Sequence, residues 1–236
     1  MAVSLATVIF PRLSSLVAMG DRKELEGTLS RALEAIFYFL LPATAGILAL
    51  SSPIVRVLFE TGRFSAHSVS LTAGPLTAYA AGMVLWGAAA VLVRVCHAHQ
   101  DMLSPFRAGL VSLALFVAAA LLLLRHFGAA GIAAASSTAA LANLLALAVA
   151  VVRRHRVRLP WKTLALALAR DAALSAAMGL LSFWLWGALP HAGSLAAAGA
   201  LAAAVGAGAL VYLGGSWILG FPEARRVREI FDRIKP

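Results

Sequence analysis

A chain of 236 residues with 61% hydrophobic and only 13% charged residues, at a mean hydropathy of +0.89, carries far more apolar surface than one soluble core of that size could hide. Its net charge of +10 does not point to nucleic acid, because the basic residues sit in short clusters between apolar blocks and are not interleaved with aromatics along one face. The single cysteine, Cys96, excludes a disulfide framework and any CxxC redox or zinc pattern.

The apolar residues come in uninterrupted blocks near bilayer length, and backbone groups in hydrocarbon have to be satisfied within each segment. The predicted fold class is therefore an all-α integral membrane protein of about seven transmembrane helices, at about 1–18, 32–51, 70–93, 108–124, 129–152, 172–189 and 193–219. The first segment starts abruptly with MAVSLATVIF and soon meets Pro11 and Arg12. Lacking the basic opening of a signal peptide, it reads as the end of a longer helix. Pro42 lies in the middle of the second segment, where a missing backbone donor can bend the helix. His97 and His99 follow the third beside Cys96 and superficially offer metal ligands, without a second close pair. His67, His126, His155 and His191 read as solvated or interfacial residues. Only RHFGAAG separates the fourth and fifth segments.

Arg170 and Asp171 are adjacent before the sixth segment, and a charge at the bilayer centre costs about 2.5–3.5 kcal/mol. Residues 161–170 are accordingly predicted to be an interfacial amphipathic turn, with the span beginning near 172. The last segment is rich in Ala and Gly at four-residue spacings such as Gly199 to Ala203, which lets helix backbones approach closely. The tail EARRVREIFDRIK places Val227, Ile230 and Ile234 on one face among basic residues, as an interfacial anchor would. No catalytic constellation emerges.

Lys and Arg fall in alternate gaps. One side holds sixteen, including Arg12, Arg22, Lys23 and Arg31, then Arg94 and Arg107, then the run from Arg153 to Lys162 and five in the tail, while the other holds Arg56, Arg63 and Arg125. Cytoplasmic loops retain positive charge, so the first segment is predicted to start outside and the tail to end in the cytoplasm. An odd count with an outside start argues for at least one further helix upstream.

The stretch from Ala6 to Met83 resembles the MurJ (MviN) family, the lipid II flippases of bacterial peptidoglycan synthesis. The resemblance rests on PRLS at Pro11 to Ser14, LP at Leu41 and Pro42, PIVRVLFETGRF from Pro53 to Phe64, and QDMLSPFR, which looks like the family's D-x-x-x-P loop at Asp101 and Pro105. It continues in spacing through FGAAGIAAASSTAALANLLALAV and weakens into the last two helices. It implies the second lobe of an exporter of the multidrug, oligosaccharidyl-lipid and polysaccharide superfamily, over residues 1–152 with its first helix truncated. Two additional helices would occupy 153–220, followed by a cytoplasmic amphipathic tail over 221–236.

What the resemblance implies functionally is a multi-pass protein of the bacterial inner membrane that flips lipid II, or a related polyprenyl-pyrophosphate saccharide, by alternating access and without covalent chemistry. The family's principal cavity arginines belong to a first lobe that this chain lacks and that the same or a separate chain would supply. Arg12, Asp101 and Arg107 are the substrate-pathway candidates available here, at the cytoplasmic mouth of the cavity. No cofactor is implied, and coupling to membrane potential or an ion gradient is compatible. Against the sodium site of some members, the matching positions are Phe116 and Ala120. Three other readings are an exporter of another polysaccharide-lipid unit, a non-transporting scaffold or partner subunit, and, least supported, an enzyme, for which Asp101 alone supplies no acidic cluster.

Overall fold

The computed structural model describes residues 2–60, 64–190 and 193–224, which form helices and the turns between them, with no strand among the described residues. In chain order these are α1 (Ala2–Met19), α2 (Arg22–Phe59), α3 (Ala66–Ala98), α4 (Leu103–Val149) running into a π-helical turn (Ala150–Arg154), α5 (Trp161–Ala188) and α6 (Ser194–Ile218). Arg63, His191 and the tail from Arg225 onward lie outside the described residues.

The longest helix is two spans folded on each other. Gly128 has φ 56° and ψ −134°, a backbone conformation open to glycine and to almost nothing else. The Ser112 hydroxyl donates to the Ala139 carbonyl at 2.9 Å, although 27 residues of straight helix would put these groups about 40 Å apart. Residues 103–127 and 129–149 are thus antiparallel arms, corresponding to the predicted segments 108–124 and 129–152. With α4 counted twice, the seven predicted apolar segments are all present as helix. Helices α2 to α6 are each long and apolar enough to cross a bilayer, whereas the apolar part of α1, Ala6–Met19, is shorter.

Two expectations shift. Inside α2 the helical backbone breaks at Leu50 (φ −116°, ψ 16°), three residues before Pro53, so the bend belongs to Pro53 and not to Pro42. Helix α5 runs unbroken from Trp161, so Arg170 and Asp171 lie ten residues inside it and not at the end of an interfacial turn.

Helix ends follow local chemistry. Gly20, Gln100 and Gly220 take φ of 71°, 57° and 69° just past α1, α3 and α6. In each case the next amide reaches back five residues, as in Asp101 N–H to the Cys96 carbonyl at 2.9 Å, which satisfies a carbonyl the helix would leave bare. Asp21 caps α2, its Oδ1 accepting from the Glu24 N–H at 3.1 Å.

The chain divides into two compact units. Among the described residues, those up to 40 and 74–167 form the first, and those within 41–73 and 168–224 the second. The first is held by an apolar core in which Leu13, Leu29, Ile36, Leu92, Val95 and Leu147 are buried. In the second, α5 and α6 approach along Ala200, Ala204, Gly208, Tyr212 and Ser216, all buried. A methyl on Gly208 would run into Ser182 Oγ, and Ser182 in turn donates to the Ala204 carbonyl at 3.0 Å. Gly199 and Ala203 are exposed, so close packing uses the stripe one residue along from the predicted pair. Large apolar side chains such as Leu121, Leu122, Leu180, Trp184 and Leu210 stand exposed on the helices. In a membrane helix these face lipid.

Candidate functional site

The described basic clusters of the first unit meet at one end of it. Gly20 and Arg22 at the α1–α2 turn, His99 at the end of α3, and Arg154 and His155 after the π-helical turn line one 340 Å³ cavity. The Arg158 N–H donates to Glu26 Oε1 at 2.7 Å, tying the last of these segments to α2. Three clusters that the sequence spreads over about 140 residues thus occupy one surface.

Asp101 organises this end. Its Oδ1 accepts the N–H groups of Leu103 at 3.1 Å and Ser104 at 3.0 Å, and its Oδ2 accepts the Ser104 hydroxyl at 2.6 Å. This is an aspartate N-cap, and it explains the spacing of D-x-x-x-P. The carboxylate satisfies the first free amides of α4, and Pro105 sits in the first turn, where little hydrogen bonding is lost. The same Oδ2 lies 3.2 Å from Arg154 Nε and 3.0 Å from His155 Nε2, the latter without hydrogen-bond alignment. The His155 ring stacks on His99 with centroids 4.4 Å apart. Burial pushes the Asp101 carboxyl upward, but the Ser104 hydrogen bonds and the charges of Arg154 and His155 outweigh it and hold the pKa at about 2. Burial, followed by the neighbouring His99, pushes the His155 imidazole below its ordinary value despite Asp101.

Arg107 stands two residues beyond Pro105. Together with Ser104, Arg153 and Arg154 it lines a groove of 310 Å³ whose walls, Ala108, Val111, Ala146 and Val149, are apolar. Ser104 joins the two features, bonding Asp101 on one side and facing the groove on the other. Arg12 instead pairs with Glu24 at 2.9 Å, and Glu24 also holds Arg31 at 2.7 Å. Asp101 and Arg107 thus share one neighbourhood through Ser104, while Arg12 belongs to a separate ion cluster. Arg153 and Arg154 read from sequence as positive-inside loop charge and His155 as solvated or interfacial, whereas the His155 side chain is buried against Asp101 and His99. The signal that points to them is Gly128, because a hairpin there folds the segment ending at Arg153 back along the one that begins at Leu103.

In the second unit Arg170 is held by Asp171 at 3.1 Å and Glu223 at 2.8 Å, with its guanidinium 4.0 Å from the centre of the Phe221 ring. Asp171 is fully buried, and Glu223 is nearly so. A charge inside a span is tolerated when it is paired and stacked in this way. Glu223 lies 53 residues downstream, which is why the sequence reading moved the span instead.

The sequence profile of the family described as "Lipid II flippase MurJ" matches residues 1–203. The chain belongs to the MurJ family. A "Probable lipid II flippase MurJ" of Rhizobium meliloti is 32% identical over 196 residues, covering 80% of this chain and 36% of that protein. One of Rhizobium tropici is 28% identical over 243 residues, covering 99% and 45%. A solved structure, "Lipid II flippase MurJ, inward closed conformation", superposes with a TM-score of 0.74 at 25% identity, covering 92% of this chain and 43% of that one. The chain spans less than half the length of these MurJ relatives. Membership makes it part of a multi-pass membrane transporter family, as the resemblance at Pro11, Pro53 and Asp101 implied.

Proposed function

We propose that this chain forms one lobe of a flippase that carries lipid II, an undecaprenyl-pyrophosphate-linked peptidoglycan precursor, from the cytoplasmic to the outer leaflet by alternating access. The observation that carries the reading is the MurJ family match over residues 1–203, supported by the superposition on a MurJ structure. Residues 1–152 belong to the lobe, α5 and α6 are additional helices, and a partner lobe lies elsewhere in the same or a separate chain. Positive charge favours the cytoplasm, so the end carrying Asp101, Arg154 and Arg158 faces inward. No covalent step is required. The task is to keep a charged pyrophosphate headgroup away from hydrocarbon.

Within this reading Arg12 and Asp101 shape the cytoplasmic mouth by holding the α1–α2 and α3–α4 turns, with Arg107 close by at the same end. Phe116 and Ala120 offer no side-chain oxygen, so energy coupling runs through membrane potential or an ion bound elsewhere.

The test is depletion of the natural full-length protein in cells. Lipid II is then challenged from outside with a membrane-impermeant enzyme that cleaves its headgroup. A flippase subunit requires that depletion raise the protected fraction and that re-expression reverse it. An unchanged protected fraction with accumulated lipid II would remove the chain from the flipping step.

A further inference from the structure

The groove between the two arms of α4 brings together Arg107 from the first arm with Arg153 and Arg154 from the second. Successive residues of a regular α-helix point about 100° apart. Here the π-helical turn at Ala150–Arg154 widens the backbone, and both arginines line the same groove. Arg154 is engaged by Asp101, whereas the side chains of Arg107 and Arg153 make no ion pair or hydrogen bond with any described residue. Asp101 thus neutralises one of the three guanidiniums, leaving two positive charges open.

Beyond the arginines the groove is walled by Ala108 and Ala146 and by the half-exposed Val111 and Val149. It is cationic at its mouth and apolar along its length. A free anion would use only the first feature, and an acidic protein segment would leave the apolar walls to be covered by something else. A lipid with an anionic phosphate head uses both. The guanidinium forks match phosphate oxygens two at a time, and an acyl chain covers Val111 and Val149. A zwitterionic head would bring its ammonium against the open arginines, which selects a net-negative phospholipid.

We infer that this groove is a binding site for one anionic phospholipid of the inner leaflet, whose phosphate bridges Arg107 and Arg153 and so ties the two arms of α4 together. The inference needs only that the chain spans a membrane and stands apart from what the protein transports.

The test uses the natural full-length protein, delipidated in a non-ionic detergent and titrated with phosphatidylglycerol, with retained lipid counted by native mass spectrometry. Each arginine at an anionic surface is worth about a fivefold factor in affinity, so Arg107→Gln/Arg153→Gln should lower affinity roughly 25-fold. Arg107→Lys/Arg153→Lys should keep most of it. Arg22→Gln/Lys23→Gln, at the same end but outside the groove, should keep all of it. Phosphatidylcholine should bind weakly, and glycerol phosphate at equal concentration should not displace the lipid. Three results would overturn the inference: unchanged phosphatidylglycerol affinity in the first variant while it remains monodisperse, an equal loss in the Arg22/Lys23 variant, and displacement by glycerol phosphate. Displacement by one equivalent of a polyprenyl pyrophosphate would also overturn it, placing the groove on a transport path.

Discussion

At the scale of single residues, Asp101 carries the most structure for its size. It caps α4, receives Ser104 and holds Arg154, so Asp101→Ala should lower stability by about 1–2 kcal/mol, read as a fall in thermal midpoint in detergent. Its pH dependence has a definite sign. The folded pKa of about 2 lies below the value near 3.9 of an unfolded aspartate, so its contribution is complete above about pH 4 and is lost only as the pH falls towards 2. His155 acts in a different window. Its folded pKa is pushed below the unfolded value of about 6.5, so the neutral ring is favoured by folding, and its contribution is full above that pH and lost as acid protonates the unfolded chain first. The thermal midpoint should fall between pH 7.5 and 5.5, and His155→Gln should flatten that fall. An equal slope in the variant would show that His155 stays accessible to protons in the fold. Asp101 was legible in the sequence through a motif and its spacing. Arg154 and His155, its partners, were not, because charge in a loop is already explained by topology and nothing local says which carboxylate it will meet.

At the scale of helices, the chain's apolar blocks announced the spans, and glycine and proline decided where they bend. Gly131 packs against the backbone of the opposite arm, where a methyl would strike the Leu123 carbonyl carbon at 2.6 Å. Backbone cannot swing aside, so Gly131→Ala should cost about 1–3 kcal/mol. Gly109→Ala and Gly199→Ala meet nothing within 4 Å and should be neutral or stabilising, by up to about 1 kcal/mol. Equal thermal midpoints for all three variants would mean that the arms of α4 are not closed as described. The sequence reading located the apex of this hairpin correctly as a gap. It placed the bend of α2 at Pro42 and the start of α5 near 172 for one underlying reason: it judged each segment by itself. Leu50 yields and the backbone around Pro42 does not, while Arg170 can enter the span because Phe221 and Glu223, far along the chain, receive it.

At the scale of the molecule, convergence of three basic segments at one end of the first unit gives the charge alternation a physical surface and makes its orientation testable. Single cysteines placed at Lys23 and Arg158 should resist an impermeant maleimide in intact cells and react after permeabilisation, whereas one at Arg125, at the other end of the α4 hairpin, should react from outside. The native Cys96 is buried and offers that reagent no target. The reverse pattern would invert the topology. The most direct test of a flippase is movement of its cargo. The natural full-length protein is reconstituted into vesicles with lipid II bearing a headgroup fluorophore, and an impermeant reductant is added outside. A flippase takes bleaching past the plateau set by the outer leaflet, and does so for lipid II but not for a phospholipid with the same dye. The same plateau with and without protein, or equal bleaching of both lipids, would contradict it.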